Sequence, residues 1–216
     1  MRPKIVILIS GSGTNMQAIA EACAREEIDA DIAAVISNRP DVQGLQRAED
    51  AGIETQVLDH KTFESREAFD GELIKMIDQY EPELVVLAGF MRILTADFVR
   101  RYQGKLINIH PSLLPKYQGL NTHQRALDNG DSYAGATVHY VTGELDGGPP
   151  VLQARVPVNS GDDADTLAGR VLEIEHRIYP VAVNWHLTDR LTWQDGNLLK
   201  DGLPVPPSGE LWEDAS

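Results

Sequence analysis

Apolar residues fall in short unbroken runs along the first half of the chain, and each run is followed by a stretch with helical spacing. "KIVILIS" is five apolar residues flanked by polar ones, rich in β-branched side chains, as expected of a strand buried on both faces. In "NMQAIAEACARE", Met16, Ile19, Ala20 and Cys23 recur on one helical face. The alternation continues through a strand in "DIAAVIS", a helix in "VQGLQRAEDAG" stopping at Gly52, and a strand in "IETQVL". A long helix in "SREAFDGELIKMIDQYEP" turns Phe69, Leu73, Ile74 and Ile77 inward and stops before Pro82. A strand in "ELVVLAGF", a short helix in "TADFVRRY" and a fifth strand in "KLINIH" complete the series. Strands alternating with helices imply parallel pairing with right-handed crossovers.

The period changes after Gly135. "ATVHYV" and "VLQARVPV" alternate as half-buried strands do and are separated by the loop "TGELDGGPP", a hairpin with a long connection. A helix is expected from Asp163 to Leu187, kinked or broken at Pro180. "RLTWQDGNLL" reads as a terminal hairpin turning at Asp195-Gly196, and the Pro-rich acidic tail "PVPPSGELWEDAS" as irregular. The fold class is therefore α/β: an open, mostly parallel, Rossmann-like sheet with flanking helices and a C-terminal antiparallel hairpin extension. With no repeat or linker in view, residues 1–216 read as one domain, with halves 1–110 and 111–216.

Charge narrows the partners. The chain carries 33 acidic against 19 basic side chains, a net charge of −14, which disfavours nucleic acid and anionic membranes. A local loop or helix terminus can still bind an anion within a negative field. The single cysteine, Cys23, excludes an intrachain disulfide and fits a reducing compartment; its alanine neighbours suggest a packed, inert thiol. The apolar run after Arg2 and Lys4 is too short for a signal peptide or a membrane span, so the expected location is the cytoplasm.

Two places carry candidate chemistry. "ISGSGTN" joins the first strand to the first helix, where glycines allow close backbone approach and free N–H groups face an anion. It fails the dinucleotide fingerprint at Met16 and contains no Gly-Lys-Ser/Thr, so the functional reading is a phosphate cradle; a plain turn capped by Asn15 is the alternative. In "LINIHPSLLPKYQG", Asn108 and His110 alternate onto one side of a strand that Pro111 ends. The carboxyl end of a strand is where open α/β sheets bind ligands, and an amide beside an imidazole suits a developing oxyanion. His110 would need a carboxylate to favour its charged form, and Asp146 in "ELDGGPP" is the best candidate. Ordinary Asp-Gly turn chemistry explains Asp146 equally well from the residues alone. His139 alternates with Thr137 and could face the same cleft, whereas His60 and His186 read as surface residues and His123 and His176 as helical ones. There is no zinc-ligand spacing and no nucleophile elbow, which leaves direct transfer without metal or covalent intermediate.

Taken together, "KIVILISGSGTN", "SREAFD", "VVLAGFMRIL", "NIHPSLLPKYQGL", "GATVHYVTGELDGG" and "EIEHRIYP" resemble the folate-dependent formyltransferases of the glycinamide ribonucleotide transformylase type, over about Lys4 to Pro180. The resemblance implies that 10-formyltetrahydrofolate, as co-substrate, gives its formyl group to the amine of glycinamide ribonucleotide, with no metal, in a monomer or homodimer. It matches Asn108, His110 and Asp146 to a catalytic trio, and Gly13, Thr14, Asn15 and Glu175 to the ribonucleotide site. It also matches Arg66, Met91, Arg92, Ile93, Leu94, Asn108, Thr142, Gly143, Glu144, Leu145 and Asp146 to the folate side, making 1–110 a nucleotide-binding-like half and 111–216 a folate-loop half. Without the resemblance, Glu175 would be a solvated helix residue, Arg66 an exposed charge, and Met91 to Leu94 core at a strand exit. Gly143 and Asn121 depart from the family pattern, where a larger or acidic residue and a histidine are expected. A tRNA formyltransferase would need a basic extension, a deformylase an N-terminal regulatory domain, and a noncatalytic nucleotide-binding module would leave the trio unexplained.

Overall fold

The apolar runs of the first half form five parallel strands. In the computed structural model, which describes residues 2–194 and 197–213, these are β1 (Lys4–Ile9), β2 (Asp31–Ser37), β3 (Thr55–Val57), β4 (Leu84–Leu87) and β5 (Leu106–His110). The chain divides into two compact units, Met1–Asn108 and Ile109–Ser216. Within the first unit the strands lie in the order β5-β4-β1-β2-β3. Ile5 through Ile9 have no solvent exposure, the burial on both faces that a continuous apolar run predicts. The intervening helices are α1 (Thr14–Ala24), α2 (Gln43–Asp50), α3 (Arg66–Asp78) and α4 (Ala96–Arg101). Ser65 and Thr95 cap the last two through side-chain oxygens that accept from Ala68 N and Phe98 N. Phe69, Leu73 and Ile77 are fully buried on α3, as their spacing requires; Ile74 is half-buried. On α1 the buried positions include Ala22, and Cys23 is only half-buried.

Strand order reverses between β1 and β4. Strands beyond β1 add on one side and β5 adds on the other, so the carboxyl ends of β1 and β4 bound a topological switch point, the usual ligand crevice of such sheets. The connections after these two strands carry the "SGSGTN" and "MRIL" segments.

The second unit is built on the predicted hairpin, β6 (Tyr133–Tyr140) antiparallel to β7 (Pro150–Pro157), with a register shift at Val138/His139. It also contains α5 (Thr122–Asp128) and α6 (Ala164–Leu187). Leu167, Val171, Ile178, Tyr179 and Val183 form a buried stripe along α6, which packs on β6 and β7. Asp163 caps α6 by accepting from Thr166 N. The helix is not broken at Pro180; it continues to Leu187 with Pro180 buried inside it, where burial of the α6 stripe outweighs one missing N–H. The terminal hairpin β8 (Leu191–Gln194) and β9 (Asn197–Lys200) is present, but its expected Asp195-Gly196 turn lies outside the described residues. The tail is more regular than its composition suggested. β10 (Leu203–Pro204) extends the small antiparallel sheet, and β11 (Glu210–Leu211) pairs in parallel with β7 at Leu152 and Gln153. Pro204 itself pairs with Leu199 in β10, a position proline tolerates on a short edge strand, and Pro206 and Pro207 lie between the two pairings.

Candidate active site

In the first unit the Gly-rich turn is a cradle closed by a second helix. Gly13 adopts φ 72, and a Cβ there would stand 2.6 Å from Gly44 Cα on α2, so only glycine permits this approach. Gly44 N donates to Gly11 O at 3.0 Å, and Arg47 Nε donates to Ser12 O at 3.0 Å. Gly13 is also the N-cap of α1, with no side-chain cap, so Asn15 sits inside the helix and does not cap it. Thr14 is half-buried and Asn15 buried in this first turn. Gly13 has no side chain with which to cap α1, and a helix that begins this way suits an anion at its N-terminus.

The "MRIL" segment meets this loop at the switch point. Met91 N donates to Ser10 Oγ at 2.8 Å, and Ser10 Oγ lies 2.5 Å from Asn38 Oδ1. Met91 and Ile93 are 61% and 62% exposed, so the expectation that they are core at a strand exit is wrong. The backbone is fixed by polar bonds on either side, Thr95 N to Asp70 Oδ2 at 2.7 Å among them, while these two side chains are held out to solvent. Arg92 lies over the Phe69 ring at 4.8 Å, and Leu94 is half-buried. Arg66 is exposed at the start of α3, and Asn108 pairs in register with Leu87 on β5.

In the second unit three titratable side chains converge. His110 Nδ1 lies 3.5 Å from Asp146 Oδ2, and His139 Nε2 lies 3.8 Å from Asp146 Oδ1. All three side chains are at most 9% exposed. The other ring nitrogen of His110, Nε2, is 2.9 Å from Tyr117 O. A carbonyl can only accept, so Nε2 carries a proton. The Nδ1 of the same ring faces the Asp146 carboxylate. His139 shares the cluster as its alternation with Thr137 suggested, and burial pushes its imidazole below the usual range, against the Tyr140 carbonyl and Asp146.

Asp146 occupies a left-handed backbone position, φ 49, that Asp and Asn tolerate better than other side chains. Its Oδ2 accepts from Gly119 N at 2.9 Å, and its carbonyl accepts from Gln118 Nε2 at 3.4 Å. The loop from Thr142 is closed by Gly148, where a Cβ would fall 1.8 Å from Tyr140 O. Thr142 is half-buried; Gly143, Glu144 and Leu145 are exposed, and a side chain at position 143 would meet open space. Asn121 is the left-handed N-cap of α5.

Glu175 is 6% exposed, within the apolar stripe of α6, so it is not the solvated residue its charge suggested. Its spacing of four from Val171 and from Tyr179 is the signal that placed it on the inward face. His60 and His186 are likewise not simple surface groups. His60 Nδ1 contacts Asn38 O at 2.8 Å, and His186 Nδ1 contacts the Tyr140 hydroxyl at 2.7 Å. The bond of Ser10 to Asn38 and the Tyr117 carbonyl on His110 were not anticipated; the first needed only the observation that Ser10 ends a buried strand, the second had no sequence signal. Burial raises the Cys23 thiol above its usual range, which fits an unreactive group. Among the described residues no group of three or more His, Cys, Asp or Glu could hold a metal ion, and no helix is long and apolar enough to cross a membrane.

Comparison with known proteins gives this geometry a context. The formyl transferase family model matches residues 3–183. The phosphoribosylglycinamide formyltransferase of Escherichia coli (strain K12) is 54% identical over 205 residues, covering 95% of this chain and 97% of that protein. The trifunctional purine biosynthetic protein adenosine-3 of Gallus gallus is 46% identical over 83% of this chain but only 18% of its own length. Among solved structures, the phosphoribosylglycinamide formyltransferase of Coxiella burnetii superimposes with a TM-score of 0.94 at 48% identity, covering 99% of this chain and 100% of that one. A glycinamide ribonucleotide transformylase from Symbiobacterium toebii superimposes at 0.89 with 42% identity, over 92% of this chain and 94% of that one. A family model matched across most of the length, and a relative more than half identical across nearly all of it, establish that the chain belongs to the formyl transferase family.

Proposed function

We propose that this chain is a phosphoribosylglycinamide formyltransferase, moving a formyl group from 10-formyltetrahydrofolate to the amine of glycinamide ribonucleotide. The products are formylglycinamide ribonucleotide and tetrahydrofolate, in de novo purine synthesis leading to IMP. The observation that carries the site assignment is the buried His110, bracketed between the Tyr117 carbonyl and the Asp146 carboxylate. The amine nitrogen attacks the formyl carbon, and the carbonyl oxygen becomes an oxyanion. The Asn108 amide, on the same side of β5 as His110 by strand alternation, donates to that oxygen, and the protonated His110 stabilises its charge. One such donor contributes roughly 3–4 kcal/mol in comparable sites. Collapse forms the new carbonyl and breaks the bond to N10 of the folate. The proton lost by the attacking nitrogen ends on N10, passing through water held at Asp146.

The ribonucleotide phosphate takes the cradle of Gly13, Thr14 and Asn15, with Glu175 as a further contact to the same substrate. The folate takes Arg66, Met91 to Leu94, Asn108 and the loop Thr142 to Asp146. The exposed Met91 and Ile93 side chains support an apolar, planar ligand on that segment. The net charge of −14 opposes nucleic acid as substrate, and the reading is of a cytoplasmic monomer or homodimer acting without metal. The test is a formyl-transfer assay on the purified protein with both substrates, beside the His110→Asn variant. Transfer by the wild type and its loss in the variant are expected; a wild type that binds neither substrate would refute the reading.

A further inference from the structure

The carbonyl that orients His110 belongs to a residue in a conformation its size disfavours. Tyr117 has φ 61, a left-handed position that bulky side chains occupy only when their surroundings hold them there. Upstream, the segment is pinned to the hairpin: Thr137 Oγ1 donates to Ser112 O at 2.7 Å, and Gln153 Nε2 donates to Leu114 O at 2.7 Å. Ser112 Oγ donates to Lys116 O at 2.7 Å. At Tyr117 itself the hold changes character. Its hydroxyl donates to Asp131 Oδ2 at 2.6 Å, and the Arg125 guanidinium stands 5.0 Å from its ring centroid. A cavity of about 430 Å³, lined by Lys116, Tyr117, His123, Asp131, Tyr133 and Arg155 among others, lies against the segment. Packed side chains therefore do not fix Tyr117 on that side, and a loosened ring has room to move. Asp131 remains ionised, because the Tyr117 hydroxyl first and the Lys116 ammonium second hold its carboxyl below the usual range.

We propose that Asp131 and Tyr117 are positioning residues for His110. Asp131 fixes the Tyr117 hydroxyl, the fixed ring holds the strained backbone, and the backbone carbonyl, accepting from Nε2–H, fixes the orientation of the His110 imidazole. Neither residue touches substrate. The inference rests on reading His110 as catalytic, and it extends the site to a carboxylate fifteen residues from Tyr117's neighbour Lys116.

Tyr117→Phe removes only the hydroxyl bond to Asp131. It should lower kcat about tenfold, within the loss that a misplacement of about 1 Å produces, with both KM values within about twofold. Asp131→Asn should give a similar kcat loss. Lys116→Met is the control: its exposed ion pair with Asp131 contributes little, and its kcat should stay within about twofold. The decisive measurement is a double-mutant cycle with His110→Asn. Tyr117→Phe should cost nothing further when His110 is already replaced. An equal loss in both backgrounds would show a merely structural role and overturn the proposal. So would a Tyr117→Phe enzyme within about twofold of wild type. If His110→Asn itself retained wild-type turnover, the catalytic reading of His110 would fail first, and the cycle would show that separately.

Discussion

Asp146→Asn separates the proposed catalytic role of this residue from a turn-forming one. Asn keeps the shape, tolerates the left-handed φ of 49, and its amide oxygen can still accept from Gly119 N, now 2.9 Å from Oδ2. Local structure should therefore survive. The lost quantity is charge. A carboxylate 3.5 Å from His110 Nδ1 interacts with a protonated ring by at most about 5 kcal/mol at an effective permittivity of ~20. Both side chains are 9% exposed, so screening by salt is limited. Comparable transition-state contacts contribute roughly 3–4 kcal/mol, and a loss of about 2.7 kcal/mol is already ~100-fold. The expected result is a fall in kcat of at least ~100-fold, with the melting temperature within about 2–4 °C of wild type. Steady-state kinetics and a melting curve on one preparation suffice. A variant within a few-fold of wild type in kcat would remove Asp146 from the mechanism and leave Asn108 and His110 to carry it.

Three further outcomes follow from the same geometry. Gly13→Val puts a Cβ 2.6 Å from Gly44 Cα at φ 72, so it should raise the ribonucleotide KM at least ~10-fold and lower the melting temperature, with folate KM unchanged; a folate KM that rises alone would mean the two sites are reversed. Met91→Ser should raise the folate KM about tenfold, the loss of one apolar contact worth ~1.4 kcal/mol, without changing thermal stability; a lower melting temperature with unchanged KM would return Met91 to the core. Arg170 donates to both oxygens of Asp162, at 2.7 and 2.9 Å, and this pairing, with Asn159 N, lowers that carboxyl to about 2. The folded value lies below the unfolded ~3.9, so the stabilisation is complete above about pH 4 and is lost as pH falls through about 2. Arg170→Gln should therefore lower the melting temperature at pH 7 and flatten its decline between those pH values; identical slopes would refute the pairing.

The parallel core was legible because its central strands obey one rule. A strand buried on both faces must be apolar at successive positions, and the runs 5–9, 32–36 and 84–87 are. The second unit was less legible. α6 runs through Pro180 because tertiary packing outweighs a local propensity, and the tail forms β10 and β11 because short pairings need little propensity at all. At the proposed site, alternation put Asn108 and His110 on one side of β5, and the need for a counter-charge pointed to Asp146, which lies 3.5 Å from His110 Nδ1. Tyr117 escaped because it acts through a carbonyl, which every residue possesses, and no side-chain pattern announces it.

Two departures at single residues point the same way. Without the family resemblance, Met91 and Ile93 read as core and Glu175 as solvated; the first two are exposed and Glu175 is buried. Each breaks the rule that apolar groups go in and charged groups stay out, and each breaks it at a free-energy cost that the rest of the fold must offset. Exposed apolar side chains beside a switch point are stable only because polar backbone bonds to Ser10 and Asp70 hold the segment out. A carboxylate in the apolar stripe of α6 persists only with partners close by. Places where local rules fail while the global fold holds are where a ligand completes the structure. On that reasoning, saturating substrates should raise the melting temperature of the wild type more than that of Met91→Ser or Glu175→Gln, each variant losing its share with only one substrate: Met91→Ser with the folate, Glu175→Gln with the ribonucleotide. Loss of both shifts in either variant would mean that the residue supports the fold and not a particular site.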